Sequence, residues 1–342
     1  MATTVARPLL HQVIERAAQH LVPLQASLEL TYRCNLTCKH CYVDCRPEGE
    51  LTLEEVKDIL DQLAAAGTLY LLFTGGEILA RKDFFAIAGY AKEKGFSLML
   101  LTNGTLVDPQ VAQGIAGLRP LSVGMSLYGA TAATHDAVTG RPGSFASTLW
   151  AISRLQDLRV PLSVQMLLMD SNIHEVEDAK RLAAGMGVPL QLGYELLPTK
   201  TGSLTPQGCE ASFSQFIRLT DPGWLRPTAP GSPRPGICKA GRGFCSISPV
   251  GDVFPCMLMP LRLGNLRQAS FAQIWHTHPV AELTYLRSLT SKDLWRCQGC
   301  SLSPFCNRCL GVALSETGQL TNPAPSACRW AALRYELFGK RR

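Results

Sequence analysis

Cys34-Asn35-Leu36-Thr37-Cys38-Lys39-His40-Cys41 is the stretch on which the reading of this chain turns. Its three cysteines are separated by three and then two residues. Thiolates are soft donors suited to zinc or to iron–sulfur clusters. A cubic four-iron cluster needs an outer ligand on every iron, so three cysteines leave one iron open to a second molecule. Half of a zinc site, or buried cysteines acting as small hydrophobes, fits the same spacing.

The surroundings narrow this. Leu28-Glu29-Leu30-Thr31-Tyr32 reads as a strand, so the cysteines lie on a loop past its C-terminal end. In a (β/α) barrel that end is the face where chemistry happens. Leu69–Phe73 is a continuous apolar run, the mark of a parallel strand buried on both sides, and Gly75-Gly76-Glu77 follows it. The C-x3-C-x2-C loop after a first strand, with Gly-Gly-Glu after a second, resembles the radical S-adenosylmethionine (SAM) superfamily. The resemblance implies that Cys34, Cys38 and Cys41 hold a 4Fe–4S cluster whose open iron chelates the amino and carboxylate groups of SAM. Electron transfer would then split SAM into methionine and a 5′-deoxyadenosyl radical.

Outward from the loop, strand and helix patterns alternate. A short leading helix is expected within residues 1–24. Thr52 and Glu55 form a capping box for a helix whose apolar face is Val56, Ile59, Leu60 and Leu63, and Gly67 ends it. Further strands are expected at 97–101, 121–127, 162–168 and 190–196, and helices at 83–94, 107–118, 144–158 and 173–186. The segment between 127 and 144 reads as a loop. Six such units predict an α/β fold, a partial (β/α)6 TIM-like barrel with an open side. Residues 1–24 read as a helical lead, 25–197 as the core and 198–236 as a Pro- and Gly-rich linker with a short helix near 212–219. A small cysteine-rich C-terminal iron–sulfur domain is expected at 237–330, and a tail at 331–342.

The resemblance assigns further residues to SAM. Gly75, Gly76 and Glu77 would meet its amino group, and Ser126, at the end of the fourth strand, its ribose or carboxylate. His40 stands where an aromatic ring beside the adenine is usual; a surface histidine is the plain alternative. Asn103 is either a SAM contact or part of an ordinary Asn-Gly turn. Arg141 is either a carboxylate partner or a surface charge, and Gln165 is expected to line the adenine site, with Met166 there or in the core. The sequence names no catalytic acid or base.

The second signal is Cys238-x6-Cys245-x10-Cys256 followed by Cys297-x2-Cys300-x5-Cys306-x2-Cys309-x18-Cys328, with Gly251 four residues short of Cys256. This resembles the SPASM extension of radical SAM enzymes. Carried over by position, one auxiliary 4Fe–4S cluster takes Cys238, Cys245, Cys256 and Cys309, and the other Cys297, Cys300, Cys306 and Cys328. The two-residue gap before Cys309 departs from the commoner three. Two zinc ribbons are the alternative. Cys45 and Cys209 are left over.

Composition excludes other classes. The chain has 342 residues, 46% hydrophobic and 18% charged, and a net charge of +6. The basic end Lys340-Arg341-Arg342 lacks the aromatic interleaving of a nucleic-acid surface. There is no apolar run of membrane-spanning length and no signal-peptide pattern, so 13 clustered cysteines point to metal in a reducing cytoplasm. Neither nucleic acid nor membrane is an expected partner. The resemblance implies a radical SAM enzyme that modifies a ribosomally made peptide or protein by hydrogen abstraction, served by an electron donor such as flavodoxin or ferredoxin. The stretches 126–131 and 134–140 resemble the peptide-maturase branch, whereas Met257 stands where sulfatase maturases have an aspartate after the cysteine. About 25 residues precede the first strand, too few for a leader-binding module, so a separate leader-binding protein or the open side would recognise the peptide. A tetrapyrrole-modifying enzyme of heme d1 or alternative haem synthesis, and a non-catalytic electron-transfer protein, are the alternatives.

Overall fold

The computed structural model describes residues 9–45, 48–219, 223–225 and 237–339. Its elements are α1 (Leu9–Gln19), β1 (Gln25–Thr31), α2 (Leu53–Ala65), β2 (Tyr70–Gly75), α3 (Phe84–Glu93), β3 (Ser97–Thr102) and α4 (Pro109–Leu118). There follow β4 (Ser122–Ser126), α5 (Ala132–Thr139), α6 (Ser144–Asp157), β5 (Leu162–Leu167), α7 (Val176–Gly185), β6 (Leu190–Gly193) and α8 (Phe213–Ile217). The C-terminal region adds β7 (Phe244–Ile247), β8 (Asp252–Phe254), β9 (Gly264–Asn265), α9 (Ala281–Ser288), α10 (Leu310–Thr317) and α11 (Pro325–Phe338).

β1 to β6 pair in chain order, all parallel, which is the expected six-unit sheet. Alternation along β1 divides its neighbours. Ala26, Leu28 and Leu30 join the core packed by Val56, Ile59, Leu60 and Leu63 of α2, while Ser27, Glu29 and Thr31 form the opposite face. Burying each of those four α2 side chains contributes about 1.5–3 kcal/mol. The Thr52–Glu55 capping box is present, and Glu55 also pairs with Arg267 at 2.6 Å, which ties α2 to the C-terminal region.

Three expectations are corrected. The segment read as a loop after the fourth strand contains α5, capped by Thr131. Its alternation is poor and it is only eight residues long, so sequence periodicity gave no clear signal. The domain division at 237 does not separate the sheet: β7 adds to the free side of β1 in parallel, and β8 and β9 continue antiparallel to nine strands among the described residues. The division at 330 falls inside α11, whose Trp330, Ala331, Leu333 and Arg334 are buried. Lys340-Arg341-Arg342 and the linker prolines 222, 227, 230, 233 and 235 lie outside the described residues. No described helix is long and apolar enough to cross a membrane.

α5 carries a pH device. Nδ1 of its buried His135 accepts the Tyr128 N–H at 3.1 Å, which requires that nitrogen to be unprotonated. Burial lowers the His135 pKa to about 4. The unfolded chain therefore binds a proton below about pH 6.5 that the folded chain refuses. Stability is full above that pH and falls as pH drops toward 4, by at most about 3 kcal/mol from this group. Thermal unfolding of the loaded enzyme at pH 7.5 and 5.5 is expected to show a lower midpoint at 5.5, and His135→Gln to shrink the difference. An equal drop in the variant would remove His135 as the cause.

Candidate functional site

The cysteine loop is held from two sides. At the β2 side the Gly76 N–H donates to the Thr31 carbonyl at 2.7 Å and the Glu77 N–H to the Arg33 carbonyl at 2.9 Å. The approach is so close that a Cβ on Gly75 or Gly76 would stand 2.3 Å from those same oxygens. At the other side the Thr37 and Lys39 N–H groups donate to the Thr139 and Val138 carbonyls at the end of α5. Gly140, at φ +70°, leaves room for Thr37 there. Buried Arg81 reaches the Leu30 and Leu51 carbonyls and braces the loop's two ends. The element missing from the sequence reading thus forms half of the clamp.

Within the loop the Leu36 N–H donates to Cys34 Sγ at 3.4 Å. Burial first, then the neighbouring Cys41 and Cys34, together push the Cys38 thiol up to about 12. Glu77 is fully buried. It accepts from Thr102 Oγ1 and the Asn103 N–H at 2.7 Å and from the Leu79 N–H at 3.1 Å. Among the described residues no cation pairs with it, and burial raises its pKa. It also raises Cys34, which places a buried carboxylate lacking a cation beside the cysteines. Asn103 Nδ2 donates to Asn35 Oδ1 at 3.0 Å and reaches Cys34 Sγ at 3.8 Å. It is a strut between the third strand and the loop.

Beyond the loop lies a cleft of about 380 Å³ over the ends of β4, β5 and β6. It brings together His40, Ser126, Gln165 and Met166, as the sequence reading expected, and adds Tyr128, Gln191 and Glu195, which it missed. His40 packs edge-on against Tyr128 at 4.5 Å, its buried Nδ1 has no partner, and burial lowers its pKa to about 4. Tyr128 lies two residues beyond Ser126; position past a strand end was the available clue. Arg141 is exposed in the α5–α6 turn and does not line the cleft.

Sharing Tyr42 and Leu197 with this cleft is a second pocket of about 240 Å³, between Cys45 and Lys200 on one side and Met257, Met259 and Val312 on the other. At its floor Lys200 pairs with the fully buried Glu29 at 2.9 Å, and Glu29 also accepts from Tyr32 at 2.8 Å and Tyr42 at 3.3 Å. Nothing local in the sequence joins Glu29 to Lys200.

In the C-terminal region Cys297, Cys300, Cys306 and Cys328 line one cavity of about 300 Å³ with Arg308. Cys238, Cys256 and Cys309 form a second group: Cys309 raises Cys238, and both raise Cys256, which burial carries to about 12. Cys245 is 2% exposed in β7, and burial alone raises its thiol. The thirteen cysteines are free of disulfides, and Cys209 reaches the Lys39 carbonyl at 3.8 Å. His276 and His278 are exposed beside the buried Trp275.

A curled parallel sheet with a clamped three-cysteine loop at its strand ends, followed by two further cysteine groups, defines an iron–sulfur enzyme of radical chemistry. The Radical SAM superfamily profile matches residues 28–183, and the iron–sulfur cluster-binding SPASM domain matches 238–309. The AdoMet-dependent heme synthase of Methanosarcina barkeri is 31% identical over 340 residues, covering 89% of this chain and 95% of that protein. The subtilosin biosynthesis protein AlbA of Bacillus subtilis is 30% identical over 346 residues, covering 94% and 76%. In fold, the chain is similar to Streptococcus suis SuiB bound to its precursor peptide SuiA, with a TM-score of 0.67 at 13% identity over 96% of this chain and 84% of that one. The chain belongs to the radical SAM superfamily and carries a SPASM domain. It is an enzyme that works with 4Fe–4S clusters and SAM, and the electron-transfer alternative gives way.

The donor sets fit these groups. Each cysteine group supplies soft thiol donors near one another, and among the described residues no three of them are gathered closely enough to hold a metal ion. The buried Glu77 carboxylate lacks a cation, and the His40 Nδ1 beside the cleft lacks a partner.

Proposed function

We propose that the enzyme modifies a ribosomally made peptide or protein by radical hydrogen abstraction. The observation that carries this is a pair of spaces that share Tyr42 and Leu197, one of about 380 Å³ over the ends of β4 to β6 and one of about 240 Å³ that reaches the C-terminal region. A chain segment laid along them passes the ends of β4 to β6 and enters a pocket with apolar walls and a polar floor. The relative AlbA is named for biosynthesis of the bacteriocin subtilosin, and SuiB was solved with a precursor peptide; both support the reading. A flavodoxin or ferredoxin supplies electrons, and a separate protein presents the leader.

The cofactors, when bound, supply the radical. This chain's residues orient them. Cys34, Cys38 and Cys41 hold the N-terminal cluster. Glu77, with Gly75 and Gly76, receives the ammonium of SAM, because a buried carboxylate without a cation is costly until one arrives. Ser126 and Gln165 offer hydrogen bonds, and neutral His40 packs beside the adenine. Asn103 holds Glu77 and the loop together. Glu77→Gln keeps one acceptor oxygen, enough for Thr102 and Leu79 but not also for the Asn103 N–H, and removes the charge. With iron content unchanged, SAM affinity is expected to fall about tenfold or more, the cost of one charge-assisted hydrogen bond. Unaltered affinity would remove Glu77 from the SAM site.

The 31% identity to a heme synthase over 340 residues favours a second reading, modification of a haem-precursor tetrapyrrole. Incubating the reduced enzyme and SAM with short peptides encoded beside its gene, and separately with an iron tetrapyrrole, separates the two by mass spectrometry. Mass loss in a peptide supports the first reading. A changed tetrapyrrole with unchanged peptides replaces it with the second.

A further inference from the structure

We infer that Lys200 selects the substrate at the second pocket: its ammonium anchors a main-chain amide carbonyl of the peptide, beside an apolar side chain, and the pocket excludes a carboxylate. This rests on the peptide reading above and adds the chemistry of one substrate position.

β1 carries Glu29 on the face away from the core of α2, where it is fully buried. Both of its oxygens are engaged. Oε2 accepts from Tyr32 at 2.8 Å and from Lys200 Nζ at 2.9 Å, and Oε1 accepts from Tyr42 at 3.3 Å. A buried carboxylate needs such support. Lys200 is fixed in turn. Its backbone N–H donates to the Tyr42 carbonyl at 2.8 Å, which pins the turn that carries it to the end of the cysteine loop. Its ammonium stands 5.3 Å from the centre of the Tyr42 ring and 5.8 Å from that of Tyr32.

An ammonium has three N–H donors. Glu29 takes one, and among the described residues no other acceptor reaches Nζ. A cation that served only to neutralise Glu29 would be sealed in with it. Lys200 instead lines the pocket with 19% of its side chain exposed, against 0% for Glu29. Two donors are therefore left for whatever enters.

Charge decides what they hold. Among the described residues, the charged side chains lining the pocket are Lys200 and Asp252. Glu29 balances Lys200, and Arg262, at 2.6 Å, balances Asp252. A carboxylate arriving there would be a net negative charge between walls built from Leu197, Met257, Met259 and Val312, and its desolvation would go uncompensated. A neutral carbonyl adds no charge and gives the ammonium a second acceptor. The same walls suit an apolar side chain. A main-chain carbonyl beside an apolar side chain meets both demands.

The test uses the cluster-loaded, SAM-bound enzyme and two probes, N-acetyl-L-leucine methylamide and N-acetyl-L-leucine, with dissociation constants read by saturation-transfer NMR. The probes present a neutral amide and a carboxylate on the same apolar residue. Wild type is expected to bind the methylamide about tenfold more tightly than the acid. Glu29→Gln leaves the charge of Lys200 unbalanced and is expected to reverse that order. Lys200→Met alone would strand the buried Glu29, so it is combined with Glu29→Gln. This double variant is expected to bind the methylamide about tenfold more weakly than wild type, the loss of one charge-assisted hydrogen bond. Should Glu29→Gln alone not fold, wild type and the double variant decide the matter. A wild type that does not prefer the methylamide overturns the inference, as does a folded Glu29→Gln that keeps the wild-type order, or a double variant with wild-type affinity for the methylamide. In each of these cases the peptide reading still stands on the mass change of the product peptide. A changed tetrapyrrole with unchanged peptides overturns that reading, and the inference with it.

Discussion

Replacing Cys34, Cys38 and Cys41 together by alanine is expected to abolish SAM cleavage and to lower iron from about twelve to about eight per chain. The loss is complete under the proposed assignment, in which these thiolates alone would hold the SAM-binding iron. The fold should survive. The loop backbone is pinned by Gly76 and Glu77 on one side and by Val138 and Thr139 on the other, and none of those bonds involves a thiol. None of the C-terminal cysteines lines the cleft at His40 and Ser126, and Cys297, Cys300, Cys306 and Cys328 line a cavity of their own, so the iron there is expected to stay. Iron analysis and 5′-deoxyadenosine release under a chemical reductant measure both quantities. A variant that still releases 5′-deoxyadenosine above background would move the SAM site elsewhere. One that loses all its iron would show that the sites depend on one another.

Cys328→Ala is expected to separate two activities that wild type couples. Cys328 lies in the first turns of α11 and completes the cavity of Cys297, Cys300 and Cys306. Without it, about four irons should be lost. Release of 5′-deoxyadenosine should continue at near wild-type level with a chemical reductant, because no residue of that cavity touches the SAM cleft. Modification of the substrate should disappear, since the substrate radical loses its electron acceptor or its seat against the C-terminal region. Full product formation in the variant would show that Cys328 is no ligand. A folded variant unable to cleave SAM would show that the two regions act as one.

Much of this was legible without coordinates, for local physical reasons. The three-cysteine spacing lies within one loop. The Thr52–Glu55 box is a four-residue signal, and the buried strands announce themselves as apolar runs. Each is set by neighbours along the chain, so the first six strands fell where expected. The resemblance to the SPASM extension assigned Cys297, Cys300, Cys306 and Cys328 to one set, and these four line one cavity.

What only the tertiary structure decided depends on residues far apart. α5 is too short and too weakly patterned to be read alone, yet Thr37 and Lys39, about a hundred positions earlier, hold its end. The four residues of β7 join the sheet because β1 had a free edge, and that pairing buries Cys245 beside Ala26. The Glu29–Lys200 pair spans 171 positions and exists because burying Glu29 inside the sheet demands a cation. Sequence spacing states which thiols are near along the chain; which way each one faces is settled by strand register, and register is fixed by burial.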